Sequence, residues 1–116
     1  MQMPMEQMGQ NAEKACALLK SMANKSRLMI LCQLAEREMS VGELLESIPL
    51  SQSALSQHLS MLRRENIVST RRIAQSIMYS LSSQDARVLI GALYELYCSD
   101  GMDESCGMAT SEAAFI

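Results

Sequence analysis

The sequence predicts a mainly α chain carrying one two-stranded β-hairpin, on three observations. Apolar residues recur at spacings of three and four over most of residues 11–65 and again over 84–98, the period of an amphipathic helix. Over residues 68–81 the period falls to two, the signature of a strand with alternating faces. The chain has 116 residues, 48% of them apolar, enough for one domain around one hydrophobic core.

Each element has its own local reason. Residues 1–9 mix Met, Gln, Pro and Gly without a period, which predicts a flexible N-terminal tail ahead of a domain over 10–98. From Asn11 onward, Ala12, Ala15, Cys16, Leu19 and Met22 fall on one helical stripe. Asn24 is a natural N-cap for a second helix, roughly 25–37. Leu28, Leu31, Cys32 and Ala35 share one face of it and Ile30 and Leu34 lie beside them, so it reads as central and buried. Ser40 followed by Glu43 is a capping-box pattern, and Val41, Leu44, Leu45 and Ile48 face inward behind it. Pro49 keeps Ile48 out of helical geometry and ends that helix.

Ser51 caps the next helix, about Gln52 to Glu65, with Leu55, Leu59 and Leu62 as its buried stripe. After Asn66 the alternation begins, with a break near Ala74–Gln75 that holds no Gly or Asn and leaves the turn type open. Ser82 or Ser83 starts the last helix, about 84–98, whose apolar residues are Ala86, Leu89, Ile90, Leu93, Leu96 and Tyr97. Residues 99–116 are acidic and rich in small residues, which predicts a disordered C-terminal tail.

Composition narrows the function classes. With three Tyr, one Phe and no Trp, eleven Met and many Leu must fill the core, and Met packs adaptably. No apolar run is long enough to span a bilayer, so no membrane contact is expected. The first residues lack the basic and apolar regions of a secretory signal, so the expected compartment is cytoplasmic. Thiols there are kept reduced, and Cys16, Cys32, Cys98 and Cys106 are not by default a disulfide framework. There is no Gly-rich phosphate loop, no paired His and carboxylate site and no nucleophile beside a base, so neither an enzyme nor a bound cofactor is expected.

The formal net charge of −3 conceals an asymmetry. Residues 51–81 carry four Arg against one Glu, a local charge of +3, while the remainder carries −6. One cationic element on an acidic body suits a directional contact with a polyanion.

Helix, short break, helix, then hairpin is the layout of a winged helix-turn-helix, here in the order α-α-α-α-β-β-α. The second helix of such a pair can enter the DNA major groove with its N-terminal residues on base edges. The chemistry fits double-stranded DNA. Gln52, Ser53, Ser56, Gln57 and Ser60 share one face, opposite Leu55, Leu59 and Leu62. Gln pairs bidentately with an adenine edge, and Ser serves several bases. Arg63 and Arg64 stand at the helix end, where cations also suit the dipole. Arg71, Arg72 and Gln75 lie on the hairpin, within reach of phosphates or a minor groove. Taken singly, each of these features also suits an ordinary solvated surface. The competing class is a protein-interaction module that uses the same helices without reading DNA.

The stretch "SVGELLESIPLSQSALSQHLSMLRRENIVSTRRIAQSIMYSL", with "LLKSMANKSRLMILCQL" before it and "LIGALYELYC" after it, resembles the ArsR/SmtB family of bacterial transcription regulators. The resemblance covers roughly residues 11–98. It implies a homodimeric winged helix on an imperfect inverted repeat, with Gln52, Ser53, Ser56 and Gln57 reading bases and Arg71, Arg72 and Gln75 on the wing. In the subgroup most like this sequence it also implies control of virulence genes by displacing a nucleoid silencing protein, whereas other members repress directly. A dimer follows from geometry too, since one short helix reads few base pairs and two copies about 34 Å apart read a twofold site. The first and last helices have apolar faces to spare for that contact, unless those faces simply cover the monomer's own core.

Family members that sense arsenic or cadmium carry Cys-x-Cys where this chain has "ELLESIPL", and zinc sensors carry paired His and carboxylates where it has "DARVLIGALYELYC". Neither ligand set is present, and the sole His, His58, sits beside the buried stripe, so no metal is expected. A metal-responsive repressor with an atypical site is the remaining alternative. Cys32 and Cys98 match positions at which redox- and sulfur-sensing relatives carry two reactive Cys. The resemblance therefore implies a redox switch, in which joining those sulfurs lowers DNA affinity. Against it, buried Cys is often only a small apolar residue, and Glu95 and Asp100 near Cys98 oppose thiolate formation. Cys16 reads as packing and Cys106 as an adventitious thiol in the tail.

Overall fold

The computed structural model describes residues 4–97. Its elements are α1 (Met5–Met22), α2 (Lys25–Glu36), β1 (Met39–Ser40), α3 (Val41–Ser47), α4 (Gln52–Arg64), β2 (Val68–Ile73), β3 (Ser76–Leu81) and α5 (Gln84–Tyr97). This is the expected winged helix with one strand added. Cys98, Cys106 and the 99–116 tail lie outside the described residues.

The expected loose tail over 1–9 is corrected from Met5 onward, because α1 begins there. Pro4 stands before its first turn in extended geometry, and its carbonyl accepts from the Met8 N–H at 2.9 Å. Glu6 suits the positive end of the helix dipole. The first turns of α1 lie clear of the core, so no core contact marks where the helix starts. Ala12, Ala15, Cys16 and Leu19 are exposed; only Ser21 and Met22 at its end are buried. Cys16, expected to pack, is therefore a surface residue of the single chain.

The helix ends follow the capping chemistry. Asn24 Oδ1 accepts from the Arg27 N–H at 3.1 Å and starts α2. Ser40 and Glu43 form the reciprocal capping box, with Ser40 N–H donating to Glu43 Oε1 at 2.9 Å and Glu43 N–H to Ser40 Oγ at 3.2 Å. Ile48 leaves α3 in extended geometry before Pro49, and the Leu50 N–H turns back to the Ile48 carbonyl at 2.8 Å. That three-residue turn, centred on a proline, is the tight break between α3 and α4. Ser83, not Ser82, caps α5, its Oγ accepting from the Ala86 N–H at 3.1 Å.

The C-terminus of α4 is a Schellman motif. Asn66 takes a left-handed φ of 62°, the Ile67 N–H reaches the Leu62 carbonyl at 2.9 Å, and the Asn66 N–H reaches Arg63 at 3.0 Å. Asn tolerates that geometry better than any branched residue. Buried Leu62 and Ile67 supply the apolar contact that accompanies the motif.

The sheet has three antiparallel strands in the order β1-β3-β2, where the sequence predicted two. Met39 pairs with Tyr79 and Ser40 with Met78. Two residues are too short for a period-two pattern, so β1 leaves no trace in the sequence. Between β2 and β3 the register runs from Val68 opposite Leu81 to Ile73 opposite Ser76. The turn is Ala74–Gln75, as expected, with Ala74 at φ 56°. A positive φ at the first turn residue alone is the sign pattern of a type II′ turn, where Gly is usual.

The core is the set of apolar residues that these ends bring together. Ile30, Leu31 and Leu34 of α2, Leu44 of α3, Leu55, Leu59 and Leu62 of α4, Val68 and Leu81 of the sheet, and Ala86 and Ile90 of α5 are all buried. The α4 stripe is the one predicted. In α2 the buried line is Ile30, Leu31 and Leu34, with Leu28, Cys32 and Ala35 at its margin. Arg87 of α5 ties the layers together, donating to the Ala35 carbonyl at 3.3 Å and to the Leu81 carbonyl at 2.9 Å. The carbonyls at the end of α2 are otherwise short of donors, and a cation there also suits the dipole.

Candidate nucleic-acid interface

The site is built outward from α4. Ser51 Oγ accepts from the Ala54 N–H at 3.1 Å and fixes the start of the helix at the protein surface. Because Leu55, Leu59 and Leu62 are held in the core, the opposite face must point out. Gln52, Ser53, Ser56, Gln57 and Ser60 are all exposed, as are Arg63 and Arg64 in the last turn. The arrangement offers short hydrogen-bonding side chains on a convex helix, with no bulky residue among them. It can enter a groove and address base edges.

On the wing, Arg71, Arg72 and Gln75 are exposed. Neighbouring side chains on a strand point to opposite faces, so Arg71 and Arg72 do not act on the same side of the ribbon. They also differ in their partners. Arg71 is held by Glu38, with Nε donating to Oε2 at 3.0 Å and Nη2 to Oε1 at 2.5 Å. That hydrogen-bonded guanidinium holds the Glu38 carboxyl below its ordinary range, and the carboxylate in turn raises Arg71. Among the described residues Arg63, Arg64 and Arg72 make no ion pair. Glu38 was invisible to sequence reasoning, since β1, which places it beside the wing, has no pattern of its own. Arg87 was missed because its partners are backbone carbonyls, which sequence does not mark.

His58 lies at the edge of the α4 stripe and is half-buried. Burial lowers its basicity first, and the nearby Arg27 cation lowers it further. Arg27 is itself fixed, donating from Nε to the Ser21 carbonyl at 2.6 Å. Among the described residues no three His, Cys, Asp or Glu side chains gather as a metal site would require, and no helix is long and apolar enough to cross a membrane. Cys32 lies partly buried on α2, packed against the core.

A winged helix with an exposed polar second helix and a cationic end is the architecture of a DNA-binding transcription regulator. Residues 24–70 match the family described as bacterial regulatory protein, arsR family. The chain is 52% identical over 96 residues to the transcriptional activator HlyU of Vibrio cholerae, covering 83% of this chain and 89% of that protein. The solved structure of reduced HlyU from Vibrio cholerae is similar at 52% identity and a TM-score of 0.77, over 81% of this chain and 99% of that one. The transcriptional repressor BigR from Xylella fastidiosa is similar at 43% identity and a TM-score of 0.75, over 83% of this chain and 98% of that one. The chain belongs to the arsR family of bacterial transcription regulators.

Proposed function

We propose that this regulator binds double-stranded DNA as a homodimer, each α4 reading one half of an inverted repeat. The observation that carries this reading is the exposed polar face of α4, capped by Ser51 and backed by three buried leucines. Gln52, Ser53, Ser56 and Gln57 address base edges. Arg63, Arg64, Arg72 and Gln75 meet phosphates or a minor groove, and Arg71 does so with the part of its guanidinium that Glu38 leaves. The dimer reading is supported by apolar side chains that the single chain leaves in solvent on its first and last helices. Leu19 is 53% exposed, Val88 59% and Leu96 67%. Its place of work is the cytoplasm, with the chromosome.

One relative is an activator by name and another a repressor. The likeness to HlyU favours virulence-gene control by displacing a nucleoid silencing protein. A second reading concerns regulation. Cys32 and Cys98 form a thiol switch in which oxidation or reactive sulfur lowers DNA affinity. It is supported by the place of Cys32 on the central helix α2 and by a relative solved in a form described as reduced.

DNA binding measured across salt concentrations tests the first reading. Binding of a duplex recovered from a random-sequence library should weaken steeply with salt, and Arg72→Ala should flatten that slope. Absence of any binding at low salt would leave only the protein-interaction reading.

A further inference from the structure

We propose that Glu38 is a positioning residue for DNA recognition, holding Arg71 so that the wing favours the proper site over arbitrary DNA. The inference rests on the DNA-reading role of the α4 and wing surface.

The sheet makes the pairing possible. Met39, Tyr79 and Thr70 stand side by side across β1, β3 and β2. Glu38 precedes Met39 and Arg71 follows Thr70, so both fall on the other face, diagonally across the central strand. Ser69 and Ser80 share that face, their hydroxyl oxygens 3.3 Å apart. The carboxylate takes Nε and Nη2 of Arg71 and leaves Nη1 outside the pair. An unrestrained Arg on a hairpin follows any phosphate it meets, which strengthens binding to every sequence alike. A guanidinium fixed along one edge keeps its three remaining N–H groups, two on Nη1 and one on Nη2, in one plane and one orientation. Its contact is then good where the duplex has the right shape and register, and poor elsewhere. Glu38 also subtracts one charge from the wing, which weakens non-specific binding in particular.

Arg71 is exposed, with 65% of its side chain in solvent, and Glu38 is half-buried, with 27% exposed, so the pair's effect on folding is small and the readout is binding. The experiment compares a duplex recovered by the wild-type protein from a random-sequence library with a scrambled duplex of the same length. Glu38→Gln should raise affinity for the scrambled duplex several-fold and steepen its salt slope by about 1 per subunit. It should raise affinity for the recovered duplex less, or lower it, so that the ratio between the two falls. With Arg71→Ala in place, Glu38→Gln should change both duplexes by the same factor and leave the ratio unmoved. Glu38→Ala should repeat the pattern. An unchanged ratio in the otherwise wild-type protein overturns the proposal, as does the same fall in the ratio when Arg71 is absent. Failure of the wild-type protein to recover any duplex contradicts the DNA-reading role itself.

Discussion

His58 and Ala74 each carry a local departure that a single substitution can test. The folded protein disfavours the charged imidazole, through burial and through Arg27, so unfolded chains bind the proton better. Stability contributed by neutral His58 is therefore complete above about pH 6.5 and is lost as pH falls through that value toward the lowered folded one. Thermal melts of wild type and His58→Gln should diverge on acidification below pH 6.5, with the variant losing less. At Ala74 the left-handed φ of 56° costs a residue with a Cβ on the order of 1 kcal/mol, while glycine costs more chain entropy in the unfolded state. Ala74→Gly should leave stability equal or raise it by up to about 1 kcal/mol in denaturant titrations, whereas Ala74→Val should lower it by more than that.

At the scale of elements, the recognition helix depends on its ends. Ser51→Ala removes the acceptor of the Ala54 N–H and should cost about 1 kcal/mol in urea unfolding, with a proportionate loss of protection in the first turn of α4 by hydrogen exchange. Leu59→Ala should cost more, roughly 2–5 kcal/mol, because Leu59 is fully enclosed. These helices were legible in the sequence because their chemistry is local: Ser40 with Glu43, Asn24, Ser51 before a leucine stripe, and Pro49 as a stop. The hairpin was legible from its alternation, down to its turn. Strand β1 was not, since two residues carry no period and its pairing with β3 joins positions 39 and 79. The start of α1 was misread for the opposite reason. Its first turns bury nothing against the core, so the start is set by residue propensity and a leading proline rather than by the stripe that begins at Ala12. The polar face of α4 could be named residue by residue, but the Glu38 contact that restrains Arg71 could not, because it is made through a strand the pattern does not show.

The whole molecule has its core around α2, α4 and the sheet, with apolar surface left on α1 and α5. That surface is what the homodimer reading predicts will be covered. Leu19→Glu should shift the protein toward monomer in sedimentation at micromolar concentration and lower DNA affinity with it, while the melting curve of the isolated fold changes little. The proposed thiol switch also belongs to this scale, since it would link the central helix to Cys98, which follows α5 in the sequence. Cys98→Ser should keep the DNA affinity of the reduced protein and abolish its loss on treatment with polysulfide. Release of DNA by the treated variant would rule the bridge out.

The most direct test of the reading of α4 is a selection of sites from a random-sequence duplex library, performed in parallel with the wild-type protein and with the Gln52→Ala, Gln57→Ala double variant. The wild type should enrich an inverted repeat whose half-sites are about one helical turn apart. The variant should lose base preference at matching positions in each half while retaining salt-sensitive binding. The same motif recovered at full strength by both proteins would show that the exposed face of α4 does not read the bases.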